Sequence, residues 1–282
     1  TMIKYKIIDN FLSSKECENL INDAEKTLNN SGNRQELNNN REITSSTSIE
    51  FYKILSNSIN WKSVNSKLSS QQFLDDCFEK LNKNSKKFIL TNFYSLNNLN
   101  KLRKKFKELQ NKKVGFLTIF TLIKIIFYRL YLSLYKFLKY KLTSKFFVEL
   151  IYDYSKAKNG YKREIHRDSD SRTLIFLLYL NDLDLNTKGG SLNIYEYLDK
   201  IKKDLPSRPN AEDCKLVDTI KPTKGTLVIF LNADDSFHSV EEMVGHKDYR
   251  YFIYGSFTLL GKRNPMLKNK NNKLKTDFHL FD

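Results

Sequence analysis

The chain has 282 residues and a mass of 33.3 kDa, and 40% of its residues are hydrophobic and 13% aromatic, enough to build a sizeable core and to exclude wholesale disorder. Nine Gly and four Pro exclude a collagen-like or linker protein, and three widely spaced cysteines (Cys17, Cys77, Cys214) argue against a disulfide framework or a structural zinc site and for a reducing compartment. The formal charge of +16, from 48 Lys+Arg against 32 Asp+Glu, is unevenly spread: 13 basic residues and one acidic residue fall between Lys101 and Lys145, six basic and two acidic between Lys262 and Asp282, and the rest of the chain is neutral.

In chain order, Ile3–Ile8 reads as a strand, followed by a turn at Asp9-Asn10 and a helix. Ser13 or Ser14 with Glu16 caps that helix, and Leu20, Ile21 and Ala24 recur at helical spacing. Residues 27–48, rich in Asn, Ser and Arg, read as a loop. More helix is expected between Ile49 and Leu90, with Phe51, Ile54, Leu55, Phe73, Cys77, Phe78 and Leu81 on core faces. The start lacks the apolar stretch of a signal peptide, so a cytoplasmic location is expected.

The basic stretch Lys101–Lys107 leads into Val114–Leu142, dense in Leu, Ile, Phe and Tyr. Its charge-free run, Val114–Ile123, is too short to cross a bilayer. At helical spacing Lys124, Arg129, Lys136 and Lys139 fall in one sector, so the segment is an amphipathic helix with a broad apolar face and a basic edge. It has three readings: a solvated helix packed on the core, a helix on a membrane surface, or a nucleic-acid patch, of which the last fits so large an apolar face least. It could also form a lid over a site entrance.

From Phe146 the pattern changes to short apolar runs: Val148–Tyr154, Thr173–Leu180, Ser191–Tyr197, Leu216–Ile220, Thr226–Leu231, His238–Val240 and Tyr249–Leu260. Turn residues separate them, which predicts a β-sandwich or barrel. The tail from Lys262 is expected to be loosely ordered.

Of four histidines, two are informative. His166 and Asp168 are one residue apart, and on an extended strand such positions point to the same side, so an imidazole and a carboxylate can share one metal ion. His238, after the strand Thr226–Leu231, could add a third ligand from a neighbouring strand. Two His and one carboxylate on one face suit non-haem Fe(II). Alone, a His-x-Asp pattern is weak. Its other reading is a polar strand end.

Ordered pieces around it resemble the iron(II)- and 2-oxoglutarate-dependent dioxygenases, in the prolyl-4-hydroxylase-like branch. They are His166-Arg-Asp168; Arg172–Asn181, ending in Tyr179-Leu-Asn; Gly189-Gly190-Ser-Leu192; Pro222–Phe230; His238-Ser-Val240; and Arg250-Tyr251. The opening Ile7–Leu12 and the helix with Cys17 also look like the family's N-terminus. The resemblance implies a double-stranded β-helix (jelly roll, cupin-like) and an Fe(II) centre held by His166, Asp168 and His238. It also implies that 2-oxoglutarate has its distal carboxylate on Arg250 and Tyr179, and that either Tyr154 or Tyr161 contacts its other end. The cofactors implied are Fe(II), 2-oxoglutarate and O₂, with ascorbate as a candidate auxiliary reductant, and the reaction is hydroxylation of a C–H bond with release of succinate and CO₂. Asp168 disfavours the halogenating members, and Ser256 disfavours the nucleic-acid demethylating members, which carry a second Arg there. The spacing from His238 to Arg250 is a couple of residues longer than the family's, leaving Lys247 as an alternative to Arg250.

His246 reads as an exposed loop residue, His279 as incidental, and Cys214 as inert. The organisation expected is 1–94, N-terminal strand and supporting helices; 95–145, basic helical insertion; 146–261, catalytic barrel; and 262–282, basic tail. The rival readings are a non-catalytic binding module acting through the basic helix at a membrane or polyanion, and a cupin-type metalloenzyme that uses no 2-oxo acid. The substrate, small molecule or protein, is not readable from these residues, nor is the oligomeric state.

Overall fold

A computed structural model describes residues 4–29, 35–37, 40–91, 116–136, 138, 143–199, 205–260 and 262–267. The stretch Lys101–Lys107 and most of the basic tail lie outside the described residues.

Strand β1 (Tyr5–Ile8) and helix α1 (Ser14–Asn29) open the chain. The cap is the reciprocal one expected from the sequence: Ser13 N–H donates to Glu16 Oε2 at 2.8 Å, and Glu16 N–H to Ser13 Oγ at 3.3 Å. Buried Cys17, Leu20, Ala24 and Leu28 recur every three or four residues and form one stripe. The helical region after residue 48 is cut into three short pieces, α2 (Ile49–Asn57), α3 (Ile59–Leu68) and α4 (Gln71–Lys80). Serines make the cuts: Ser48, Ser58 and Ser70 each turn an extended backbone into a helix and accept the amide of Phe51, Trp61 or Phe73.

Two strands lie where the Asn/Ser-rich composition suggested a loop, β2 (Gln35–Leu37) and β3 (Arg41–Ser45). Strand β3 pairs along its length with a long partner, and that pairing overrides its low intrinsic preference for strand. After β4 (Phe88–Leu90) comes α5 (Phe116–Lys136), a 21-residue helix. Of its described side chains only Thr121 and Ile125 are buried, so it does not bury a broad face against the core. No described helix is long and apolar enough to cross a membrane.

Eight strands then run in succession: β5 (Phe146–Ala157), β6 (Arg163–His166), β7 (Arg172–Tyr179), β8 (Leu192–Tyr197), β9 (Cys214–Ile220), β10 (Leu227–Leu231), β11 (Phe237–Val240) and β12 (Arg250–Leu259). They are dealt between two antiparallel sheets. The larger has the order β1-β10-β7-β12-β5-β3-β2, with β4 beside β5, and the smaller β6-β11-β8-β9. Except for β8 and β9, which pair with each other in the smaller sheet, successive strands thus fall in opposite sheets and face each other across the interior, which is a double-stranded β-helix.

The larger sheet is apolar on both faces. Its outer face is covered by the helices: Trp61 lies edge-on to Phe51 and Tyr154, at 5.4 Å from each, and Phe73 edge-on to Phe176 at 5.8 Å. Its inner face, with Ile175, Leu177, Val228, Phe230 and Phe252, meets Leu192, Ile194 and Val240 of the smaller sheet. Period-two alternation decides which residues enter the barrel.

Trp61 joins these layers, fully buried and donating from Nε1 to the Leu20 carbonyl at 2.8 Å. Trp61→Ala is expected to cost about 3–5 kcal/mol, read as a lower urea midpoint with the same α/β content by circular dichroism.

Candidate metal centre

Strands β6 and β11 are neighbours in the smaller sheet, and their register sets His166 directly opposite His238. Directly opposed residues project from the same face of a sheet. The imidazoles therefore enter the barrel side by side, with ring centroids 4.4 Å apart. Chain direction alone would have hidden this, since the residues are 72 positions apart in sequence.

Asp168 lies just past the end of β6 and not within it. Its loop is held in place by Asn232, fully buried, which donates to the carbonyls of Ser169 at 2.7 Å and Arg172 at 3.0 Å. Asn232 also accepts from Ser236 Oγ at 3.1 Å, two residues before His238. One amide thus ties the loop carrying the carboxylate to the turn leading into the second histidine. Asn264, also buried, doubles the tie from beyond the barrel's last strand, donating to Arg172 O at 2.7 Å and Asn232 O at 2.8 Å.

His166, Asp168 and His238 each offer one ligating atom, all within 4.8 Å of one another. Both imidazoles direct Nδ1 at a backbone carbonyl, Glu164 at 2.8 Å and Ser236 at 3.2 Å. The Nδ1 proton is committed there, so Nε2 presents the lone pair. Burial pushes His166 down to about 4, with His238 beside it adding to the fall, and burial lowers His238 as well. Both rings are neutral at pH 7.

The two oxygens of Asp168 have different surroundings. Oδ1 accepts from Arg172 Nη1 and from the Tyr254 hydroxyl, each at 2.6 Å, and Arg172 also donates to the Tyr254 oxygen. Oδ2 is buried, has no hydrogen-bond partner among the described residues, and lies 3.4 Å from His238 Nε2. Burial alone would raise this carboxyl, but His238, Arg172 and the Tyr254 hydroxyl outweigh it and hold Asp168 below the usual carboxylate range. An ionised oxygen and two imidazole nitrogens converge on one point, a donor set that suits Fe(II).

A second cluster lies further along β12, where Arg250, Phe252 and Tyr254 alternate onto the inner face. Arg250 is 1% exposed. Its Nη1 donates to Gly190 O at 2.6 Å, but Nε and Nη2 have no partner among the described residues, and neither does the hydroxyl of fully buried Tyr179. The guanidinium lies 5.1 Å from the Tyr179 ring and 6.0 Å from that of Tyr161. A buried cation with two free donors, beside a buried hydroxyl, fits a carboxylate in bidentate contact. The Gly189-Gly190 turn makes the arrangement accessible: both residues have positive φ (70° and 79°), and a Cβ on Gly190 would meet Leu183 Cδ1 at 2.8 Å.

Five of the six residues singled out in the sequence line the barrel. Tyr154 does not, and it corrects the expectation that it contacts a co-substrate. It lies in the outer-face core, with its hydroxyl on Glu25 at 3.0 Å and its ring against Trp61. Strand β5 is longer than its apolar run suggested, and its alternation sends Tyr152 and Tyr154 outward and Ala157 inward. Tyr161, the alternative, is inside the barrel. Lys247 is exposed, which leaves Arg250 as the buried cation. His246 is buried rather than exposed, with Nδ1 3.1 Å from an Asp184 oxygen and 3.1 Å from Thr187 Oγ1, where it joins two loops. Cys214 is partly buried, and burial raises its thiol, as suits an inert residue.

The sequence reading gave no role to Arg172, Tyr254 or Asn232. Tyr254 carried a usable signal, since it stands four residues from Arg250 on one strand and so shares its face. Asn232 carried none, because its partners are backbone carbonyls brought together by the fold.

Residues 150–257 match the family described as the 2OG-Fe(II) oxygenase superfamily. Among solved structures, the chain is similar to a prolyl hydroxylase from Trichoplax adhaerens in complex with a hypoxia inducible factor oxygen degradation domain peptide fragment. That pair is 14% identical over 90% of this chain and 83% of the other, with a TM-score of 0.47. It is also similar to a Pseudomonas putida prolyl-4-hydroxylase (12% identity, 91% and 92% coverage, TM-score 0.41). A third is the viral collagen prolyl hydroxylase of Paramecium Bursaria Chlorella virus-1 (18%, 92% and 90%, 0.37). No curated protein matches the chain. The matched stretch, residues 150–257, is thus similar to the 2OG-Fe(II) oxygenase superfamily, whose members use Fe(II), 2-oxoglutarate and O₂.

Proposed function

We propose that the protein is a hydroxylase in which His166 Nε2, His238 Nε2 and Asp168 Oδ2 hold Fe(II), and Arg250 and Tyr179 hold the distal carboxylate of 2-oxoglutarate. The observation that supports this most is the set of buried polar atoms in the barrel without hydrogen-bond partners among the described residues. Asp168 Oδ2, Arg250 Nε and Nη2, and Tyr179 OH face one interior, and each would cost stability without a ligand to meet it. A non-catalytic module on the same barrel gains nothing from these groups, and a cupin-type enzyme without a 2-oxo acid has no use for the Arg250–Tyr179 pair.

Bound there, Fe(II) would let O₂ act as the oxidant, one oxygen atom going into succinate as the 2-oxo acid loses CO₂ and the other into a substrate C–H bond. The chain's own residues bind, orient and exclude water. Arg172 and Tyr254 saturate Oδ1 of Asp168, so the carboxylate offers the metal a single oxygen and keeps other positions open. Arg250 stands about 13 Å from Tyr254 by strand spacing, on the same face. The co-substrate's orientation follows, with one end at the cation and the other toward the histidines. Phe230, 4.8 Å from the His238 ring, and Phe252, 5.2 Å from the Arg250 guanidinium, keep the interior apolar between these groups. That low-dielectric setting strengthens the Arg–carboxylate contact.

With Fe(II), 2-oxoglutarate and air, the full chain is expected to form succinate, slowly without a substrate, and His166→Ala to abolish it. Turnover undiminished in that variant would sink the assignment. Anaerobic calorimetry in the presence of Mn(II) is expected to give Arg250→Ala about 100-fold weaker 2-oxoglutarate binding, or about 2.7 kcal/mol, with metal affinity little changed. Tyr254→Phe leaves Asp168 Oδ1 with Arg172 alone and is expected to weaken Mn(II) binding by about 10–100-fold. Its 2-oxoglutarate affinity, measured at saturating metal, should hold.

A further inference from the structure

The helix α5 presents a feature the barrel chemistry does not use. At about 100° per residue, Ile123, Ile126, Phe127, Leu130 and Leu134 fall within an arc of about 100° on one side. All five are between 42% and 67% exposed. Thr121 and Ile125, the buried residues among the helix's described side chains, lie on the opposite side, so the apolar stripe is the face turned outward. The stripe continues along a helix about 32 Å long. A contiguous exposed apolar surface of this kind marks an interaction site.

Charge selects the occupant. The segment from Lys101 to Lys145 carries 13 basic residues and one acidic residue, while the rest of the chain, its tail apart, is neutral. A second copy seated on the same face would set one strongly positive segment against another, each with a single acidic residue to offset it. A nucleic acid would meet the charge but leave five large apolar side chains, four of them aliphatic, facing phosphate. An anionic membrane surface satisfies both: the stripe enters the boundary between headgroups and acyl chains, and the net positive charge of the segment draws it to anionic lipid. Lys124, about 60° round the helix from the stripe, is exposed, and its ammonium lies over the Phe120 ring at 4.6 Å, a cation beside apolar surface.

We infer that α5 is a peripheral membrane anchor that lies in the plane of an anionic lipid surface and holds the oxygenase domain there. This does not depend on the proposed iron chemistry. In co-sedimentation of the full chain with vesicles, binding to phosphatidylcholine containing about 30 mol% phosphatidylserine is expected to exceed binding to phosphatidylcholine alone by about tenfold or more, and to fall as salt is raised from about 0.1 to about 0.5 M. Phe127→Glu combined with Leu130→Glu should remove at least about nine-tenths of that binding while the thermal midpoint of unfolding stays at the wild-type value. A milder pair, Ile123→Ser with Leu134→Ser, should act in the same direction. Wild-type protein that stays in the supernatant with both vesicles would overturn the inference, as would undiminished binding by both variants. A lipid-free dimer that the Glu pair dissociates would assign the stripe to self-association instead. Retention on single-stranded RNA without vesicle binding would assign it to nucleic acid.

Discussion

The pairing of β6 with β11 is the constraint on which the rest depends. Two short strands from distant parts of the chain must align so that His166 meets His238, and one residue of slip would turn one imidazole away from the barrel. Little in the four-residue strand β6 secures that register by itself. It is secured from outside, by β8 on the far edge of β11 and by the Asn232 and Ser236 hydrogen bonds that join the loop after β6 to the turn before β11. The larger sheet and its helical cover serve the same end. They provide a rigid wall from which Arg172, Arg250 and Tyr254 project inward.

That wall carries a high density of buried charge. Asp153, Asp168, Arg41 and Arg172 all approach the Tyr254 side of the interior. Arg41 donates to Ser155 at 2.7 Å and lies over the Phe252 and Tyr254 rings. Burial pushes Asp153 up, and the two arginines pull it back only in part. A connected network of this kind restricts each side chain to one geometry, because any rotation strands a neighbour without a partner. The cost in stability is offset by the apolar outer face, where Trp61, Phe51 and Phe73 pack the helices down.

The parts of the fold legible in the sequence were those with their own periodicity. The apolar runs of β7, β8, β10 and β12 announced themselves, and so did the Ser13–Glu16 cap and the stripe of α1. The ligand candidates were legible because His-x-Asp, a later His and a still later Arg occur in order among those strands. Strands β3 and β6 were not, because they are short and polar and become strands only through the partners that pair with them. Tyr154 was misplaced for a related reason: its side of the sheet follows from where β5 is paired, and the run of apolar residues around it reads the same on either face. His246 looked exposed because it sits among charged residues, yet Asp184 and Thr187 reach over from another loop to enclose it.

The Asn264 side chain bears on where the domain ends. The family match stops at residue 257, and the change in composition at Lys262 suggests that the barrel is finished there. Yet Asn264 is buried and donates to two main-chain carbonyls of the loop system that carries Asp168, while Leu267 beyond it is buried as well. In mechanical terms the residues after β12 are a clasp on the loop that carries Asp168. A boundary drawn by homology would cut the chain just short of a part that holds the carboxylate in place.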